Sequence, residues 1–277
     1  MAKGIGLIGN FKGKVGNMVG YKLTDSNSGN TQGIRVYQPI VKNPKTAAQA
    51  EQRAKLAPIN ATYRALKMVI DRGNEGLPYG NKSRLAWLKL AFKAEKMPWF
   101  EKGAAVDYPV ICRLTKGSLP SVNYSNRDGQ LMILCSTATQ ESSVATVGGI
   151  STIMLGSYNF LKSGDQITVV HVANGTKGLE TEVISFVIDT TSSETITGFT
   201  AANGQILLDS GGDQDFYSVI VSRLGENGEH LRSNEYLVGY SDIFSAAPYD
   251  ETSKTAAIES YMSSAAVNAD WAEESIQ

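Results

Sequence analysis

From Asp107 onward the chain breaks into seven short β-forming runs, Val110–Leu114, Gln130–Ser136, Gln166–Ala173, Glu182–Asp189, Gly204–Leu208, Phe216–Leu224 and Tyr236–Gly239. Turn sequences separate them, among them Asn126-Arg127-Asp128-Gly129, Lys162-Ser163-Gly164-Asp165, Asn174-Gly175 and Glu226-Asn227-Gly228-Glu229. Seven short strands spaced by such turns predict an antiparallel sandwich or barrel.

The first hundred residues have a different texture. Gly13–Leu23 and Gly33–Gln38 alternate around the polar loop Asp25–Asn30, which predicts a β-hairpin. Thr46 followed by Gln49 matches a capping box behind Pro44. The helix it opens carries Leu56, Ile59, Tyr63, Leu66 and Ile70 at 3-4-3-4 spacing, with Pro58 expected to kink or split it near Ala57. A second helix is expected from about Asn81 to Lys96, with Leu85, Leu88 and Phe92 inward and Trp87 flanking. The expected class is therefore α+β: an N-terminal β-hairpin with a basic two-helix segment, an antiparallel β-sandwich-like domain, and a short helical tail. The corresponding expected domains are 1–105, 106–247 and the acidic Ala/Ser-rich tail 248–277.

A formal net charge of −1 conceals a division. Residues 1–120 hold 20 Lys and Arg against 7 Asp and Glu; residues 121–277 hold 6 against 20. Opposite halves suit two surfaces with different partners, or copies that stack basic face on acidic face, although a charge run also simply solvates itself. The lysines are scattered and the arginines unclustered, so contact with nucleic acid is not expected as the main function.

Few residues invite catalysis. His171 and His230 are the only histidines, and Cys112 and Cys135 the only cysteines. Both thiols lie in apolar runs and read as reduced packing residues. Gly4-x-Gly6-x-x-Gly9 has dinucleotide-fingerprint spacing but lacks the strand before it and the helix after it that would place pyrophosphate. Asp209-Ser210-Gly211-Gly212-Asp213-Gln214-Asp215 offers oxygen ligands but lacks the downstream glutamate of an EF-hand loop. No catalytic, cofactor-binding or metal residue is assigned, and no cofactor or small-molecule substrate is expected. No apolar run approaches a membrane span and no secretory signal is evident.

Several stretches together resemble a domain family of unknown function found in Bacteroidota and their phages. They are Met1-Ala2-Lys3-Gly4-Ile5, Gly13-Lys14-Val15-Gly16-Asn17, Val19-Gly20-Tyr21-Lys22, Gly33-Ile34-Arg35-Val36, Asn43-Pro44-Lys45-Thr46 and Gln49-x-x-Gln52-Arg53-Ala54-Lys55. Lys116-Gly117-Ser118-Leu119-Pro120, Gly164-Asp165-Gln166-Ile167-Thr168 and Ser233-x-x-Tyr236-Leu237 extend the likeness to about residue 240. The Asn-Pro-x-Thr…Gln…Gln-Arg element is similar to one in phage and prophage virion proteins. The resemblance implies no activity and no catalytic residues. It points to a structural component of a virion (neck, tail or capsid surface) that assembles in the host cytoplasm with copies of itself and other virion proteins.

On that expectation the candidate subunit contacts are Lys42, Lys45, Arg53 and Arg64 on a basic face, Trp99 and Phe100 in Met97-Pro98-Trp99-Phe100, and Tyr261 and Trp271 in the tail. A sugar- or surface-binding sandwich is the alternative, with Tyr217, Tyr236 and Tyr240 as its aromatics; a nucleic-acid binder using the helix pair is the third.

Overall fold

The structure is a computed structural model describing residues 13–25, 29–37, 46–127, 129–136, 145–175, 178–202, 205–208, 212, 214–245 and 248–263. The chain forms two compact units, Met1–Lys45 and Thr46–Gln277.

The first unit is a three-stranded antiparallel meander, β1 (Gly13–Val15), β2 (Met18–Asp25) and β3 (Gly29–Val36). The expected hairpin is β2–β3, but its strands pair out to Asp25↔Gly29, so the loop is shorter than Asp25–Asn30. Gly16, with φ +57°, makes the tight β1–β2 turn that adds the extra strand.

The second unit opens with α1 (Ala47–Ala65), α2 (Lys67–Ile70) and α3 (Asn81–Ala91). The Thr46 side chain accepts from the Gln49 backbone N–H at 3.4 Å and caps α1 as expected. Pro58 does not split the helix. Ala54, Pro58, Ile59 and Thr62 are all buried, and that packing carries α1 through the ring to a break at Leu66. The inward face of α3 also differs from expectation. Ser83, Trp87 and Ala91 are buried, whereas Leu85 and Phe92 are exposed. Ser83 is committed inward by its hydrogen bonds: its hydroxyl donates to the Ile70 carbonyl at 2.7 Å and accepts from the Asn74 amide at 2.9 Å.

Two antiparallel sheets follow. One is β10–β11–β5–β4, from Phe199–Ala202, Gln205–Leu208, Gln130–Leu134 and Tyr124–Arg127. The other is β13–β12–β7–β8, from His230–Arg232, Phe216–Leu224, Gln166–Gly175 and Gly178–Val187, with β14 (Val238–Gly239) also on β12. A two-stranded pair, β6 (Ala145–Thr146) and β9 (Thr195–Ile196), leads into α4 (Val147–Ser157). Of the expected strands, Val110–Leu114 makes only isolated bridges, Ile111 with Lys96 and Arg113 with Tyr236.

The β7 and β12 strands are covered on both faces. Ile167, Val169, Tyr217, Val219 and Val221 face the other sheet and α4, packing with Leu131, Ile133, Ile150, Met154, Ile206 and Leu208. Val170, Val172, Phe216 and Ile220 face the helices, packing with Ile59, Leu66, Ile70, Trp87 and Ala91. This explains why Ile167–Val172 and Phe216–Val221 are nearly unbroken apolar runs, since neither strand has a solvent face to alternate toward.

The result is an α+β fold in which a sandwich carries a helical layer. The helices therefore share a core with the sheet, and the chain divides at Lys45 rather than near residue 105. The tail begins as part of the same core: α5 (Glu251–Ser263) buries Ala257 among the helix-side residues. No helix among the described residues is long and apolar enough to cross a membrane.

Candidate assembly surface

Between Thr46 and Lys102 the chain carries eleven Lys and Arg against five Asp and Glu, and the helical layer displays them. Arg64 and Lys67 are exposed at the α1–α2 junction; Lys82 and Lys89 are exposed on α3. Leu56, Met68 and Leu85 are also exposed on these helices. Because α3 commits Trp87 to the core, Leu85 is left on the outside.

Some of the charge is internally satisfied. Lys55 pairs with Glu51 at 2.6 Å across one turn, and that hydrogen bond holds the Glu51 carboxyl below the usual carboxylate range. The Arg84 guanidinium lies 4.6 Å from the Tyr63 ring centroid, and the Tyr63 hydroxyl donates to Asp71 at 2.9 Å.

The expected contact residues separate into three groups. Arg64 is exposed, and Arg53, Phe100 and Tyr261 are half-buried. Trp99 is not a surface residue: it is buried with Met97 and Pro98, and its backbone N–H donates to the Pro248 carbonyl at 2.9 Å. The ammonium groups of Lys55 and Lys254 lie 5.7 and 5.8 Å from its ring centroid. Trp99 therefore anchors the start of the tail segment to α1, which removes it and Met97 from any exposed patch. Tyr261 packs against that same helix-side core. Lys42, Lys45 and Trp271 lie outside the described residues, as does the glycine run Gly4–Gly9.

Two features of the surface were not anticipated from sequence. A groove of about 450 Å³ runs beside the end of α3, lined by Leu90, Lys93, Ala94, Lys96, Arg113 and Tyr236 among others. Its only sequence signal is a pair of lysines, Lys93 and Lys96, in the chain leaving the helix. The other is a cleft of about 510 Å³ beside the Lys162–Asp165 turn, bordered by Arg223, Glu226 and Glu229.

Residues considered for chemistry are occupied structurally. His171 is buried, stacks on Tyr217 at a centroid distance of 4.8 Å, and meets the Asp215 carboxylate through Nε2 at 2.7 Å. Asp215 also accepts the Gly212 N–H at 2.9 Å, so this end of the acidic turn is tied to the sheet. Burial pushes the Cys112 thiol up to about 12 and raises that of Cys135 as well, the opposite of an activated nucleophile. Among the described residues no group of three or more His, Cys, Asp or Glu side chains is placed to hold a metal ion. Tyr217 is fully buried and its hydroxyl donates to the Gly129 carbonyl, which takes it out of any sugar-binding platform; Tyr236 remains 49% exposed.

No family model, no curated protein and no solved structure matches this chain.

Proposed function

We propose that the chain is a non-enzymatic structural subunit of a bacteriophage particle, in the neck, tail or capsid surface, that assembles with copies of itself and with other virion proteins. The observation that carries this reading is the helical layer. It is fixed to the sandwich by a continuous core, yet it exposes both the cations Arg64, Lys67, Lys82 and Lys89 and the apolar side chains of Leu56, Met68 and Leu85. A layer that exposes cations and apolar side chains together suits a face that an acidic protein surface covers. The acidic half of the same sequence holds the carboxylates from which a second copy could build such a surface. The resemblance to phage and prophage virion proteins supports the same reading.

Peptide mass spectrometry of density-gradient-purified particles tests it. Stoichiometric recovery of this chain, counted against the major capsid protein, is the expected result. Absence from clean particles overturns the proposal.

A further inference from the structure

We propose that the groove beside the end of α3 receives the acidic segment 264–277 of a second copy of this chain, with Trp271 seated on its apolar floor. The inference rests on the reading of the chain as a self-assembling subunit and names the contact that would join two copies.

The groove has the anatomy of a site for an anionic, apolar peptide. Leu90, Ala94 and Ile111 form its floor, and Tyr236 stands half-exposed at its wall. Lys93, Lys96 and Arg113 share the lining with them, and Glu95 is its one carboxylate. No salt bridge among the described residues neutralises these three cations, and the Arg113 Nε is buried without a hydrogen-bond partner. The Lys96 ammonium lies 5.6 Å from the Phe244 ring centroid, a contact that leaves its charge uncompensated. Lys93 and Lys96 are exposed and Arg113 is half-buried, so the groove offers unneutralised positive charge beside apolar side chains, a match for an anionic segment that also carries an apolar group.

Segment 264–277 is complementary in composition. It holds Asp270, Glu273 and Glu274 and no Lys or Arg, and these acids bracket Trp271. A tryptophan supplies a large apolar area with one donor at its edge, and such residues dominate the energy of small contacts. An indole set among three carboxylates thus matches an apolar lining that carries three cations. The segment follows directly on α5, whose start is fixed beside Trp99 by Pro248 and Lys254.

The test uses the full-length chain. Equal amounts of natural-abundance and 15N-labelled protein are mixed, coupled with a zero-length carbodiimide, digested and read by mass spectrometry. The expected links join Glu273 or Glu274 to Lys93 or Lys96, with mixed light–heavy pairs among them. Trp271→Ala keeps every coupling group and is expected to lower the yield of those links about tenfold. Links found only within one isotope class, spread equally over Lys67, Lys82 and Lys89, or unchanged in Trp271→Ala each overturn the inference. None of these outcomes bears on the virion reading, which is decided separately by the particle mass spectrometry.

Discussion

Arg223 on β12 closes a two-pronged pair with Asp165 in the turn before β7, Nε to Oδ1 and Nη2 to Oδ2 both at 2.6 Å. The same guanidinium donates to the Phe160 carbonyl at 2.6 Å, and Asp165 accepts the Lys162 N–H at 2.8 Å. The Asp165 side chain is 2% exposed and that of Arg223 is 20% exposed, so water screens the pair poorly. Its hydrogen bond to Asp165 raises the Arg223 guanidinium above its usual range.

Removing one partner strands the other. Asp165→Asn leaves Arg223 facing a neutral amide beside a buried turn, and it is expected to cost about 2–4 kcal/mol in urea unfolding. Arg223→Lys keeps the charge but loses the fork, and a smaller loss of about 1–2 kcal/mol is expected. Equal stability of Asp165→Asn and the parent protein would show the pair to be ornamental.

Gly117 lies in the Lys116–Pro120 stretch, and the structure shows why the position is glycine. A Cβ there would meet the Arg232 carbonyl oxygen at 1.9 Å and its carbon at 2.5 Å. The neighbouring Leu119 N–H donates to that same carbonyl at 2.9 Å, while Glu75 receives the Ser118 N–H at 2.9 Å and the Arg232 N–H at 3.2 Å. Backbone on both sides is pinned, so neither can retreat. Gly117→Ala is expected to destabilise by about 2–4 kcal/mol. A thermal melt within a degree or two of the parent would mean the two segments separate at little cost.

The two faces of α3 give a direct comparison. Trp87 is 1% exposed and Leu85 is 50% exposed. Trp87→Ala is expected to cost about 3–5 kcal/mol, and Leu85→Ser to stay within about 0.5 kcal/mol. The reverse order in chemical denaturation would restore the orientation that hydrophobic spacing alone suggests.

That reversal shows where the sequence was legible and where it was not. β12 appears as Phe216–Leu224, the span its β-branched run predicts, because a strand buried on both faces has only one way to be read. The buried face of α3 is not the one its spacing favours, because Leu85, Leu88 and Phe92 form the more regular apolar stripe. The competing stripe, Ser83, Trp87 and Ala91, includes a serine whose inward commitment comes from Asn74 and Ile70, which lie outside the helix, 9 and 13 residues away. The α4 helix escaped notice because Val147-Gly148-Gly149-Ile150 has poor helix propensity. Tertiary packing holds it there: Val147, Ile150 and Met154 sit in the sandwich core, and the Gly148 N–H donates to the Ser192 carbonyl at 3.0 Å. The basic character of the candidate surface was readable from charge counts. The groove was not, since Lys93, Arg113 and Tyr236 meet only through the Lys96–Ile111 and Arg113–Tyr236 bridges.

The thiols offer a chemical check on the packing. Cys112 is buried with its thiol pushed up to about 12, and Cys135 is half-buried and also raised. Iodoacetamide at mildly alkaline pH is expected to leave Cys112 unmodified in the folded protein and to modify Cys135 slowly, with both reacting fully in denaturant. Rapid native labelling of Cys112 would show that the layer between α3 and the sheet opens readily.

Glu235 supplies the last prediction, one of pH. It is 3% exposed, and its backbone is held by the Leu114 N–H at 2.8 Å and the Thr115 hydroxyl at 3.1 Å. Burial raises its carboxyl above the usual value, and hydrogen bonds from Ser233, Ser121 and Tyr124 offset only part of that; the Tyr124 hydroxyl donates to Oε2 at 3.1 Å. The folded chain therefore holds the Glu235 proton more tightly than the unfolded chain does. This contribution to stability is fully present below the ordinary glutamate value of 4.5 and is lost as pH rises through the higher folded value. Glu235→Gln keeps the shape and cannot ionise. Relative to the parent, the variant is expected to gain stability steadily as urea melts are moved from about pH 4 to about pH 8. Parallel stability curves for the two proteins over that range would show that Glu235 ionises freely where it sits.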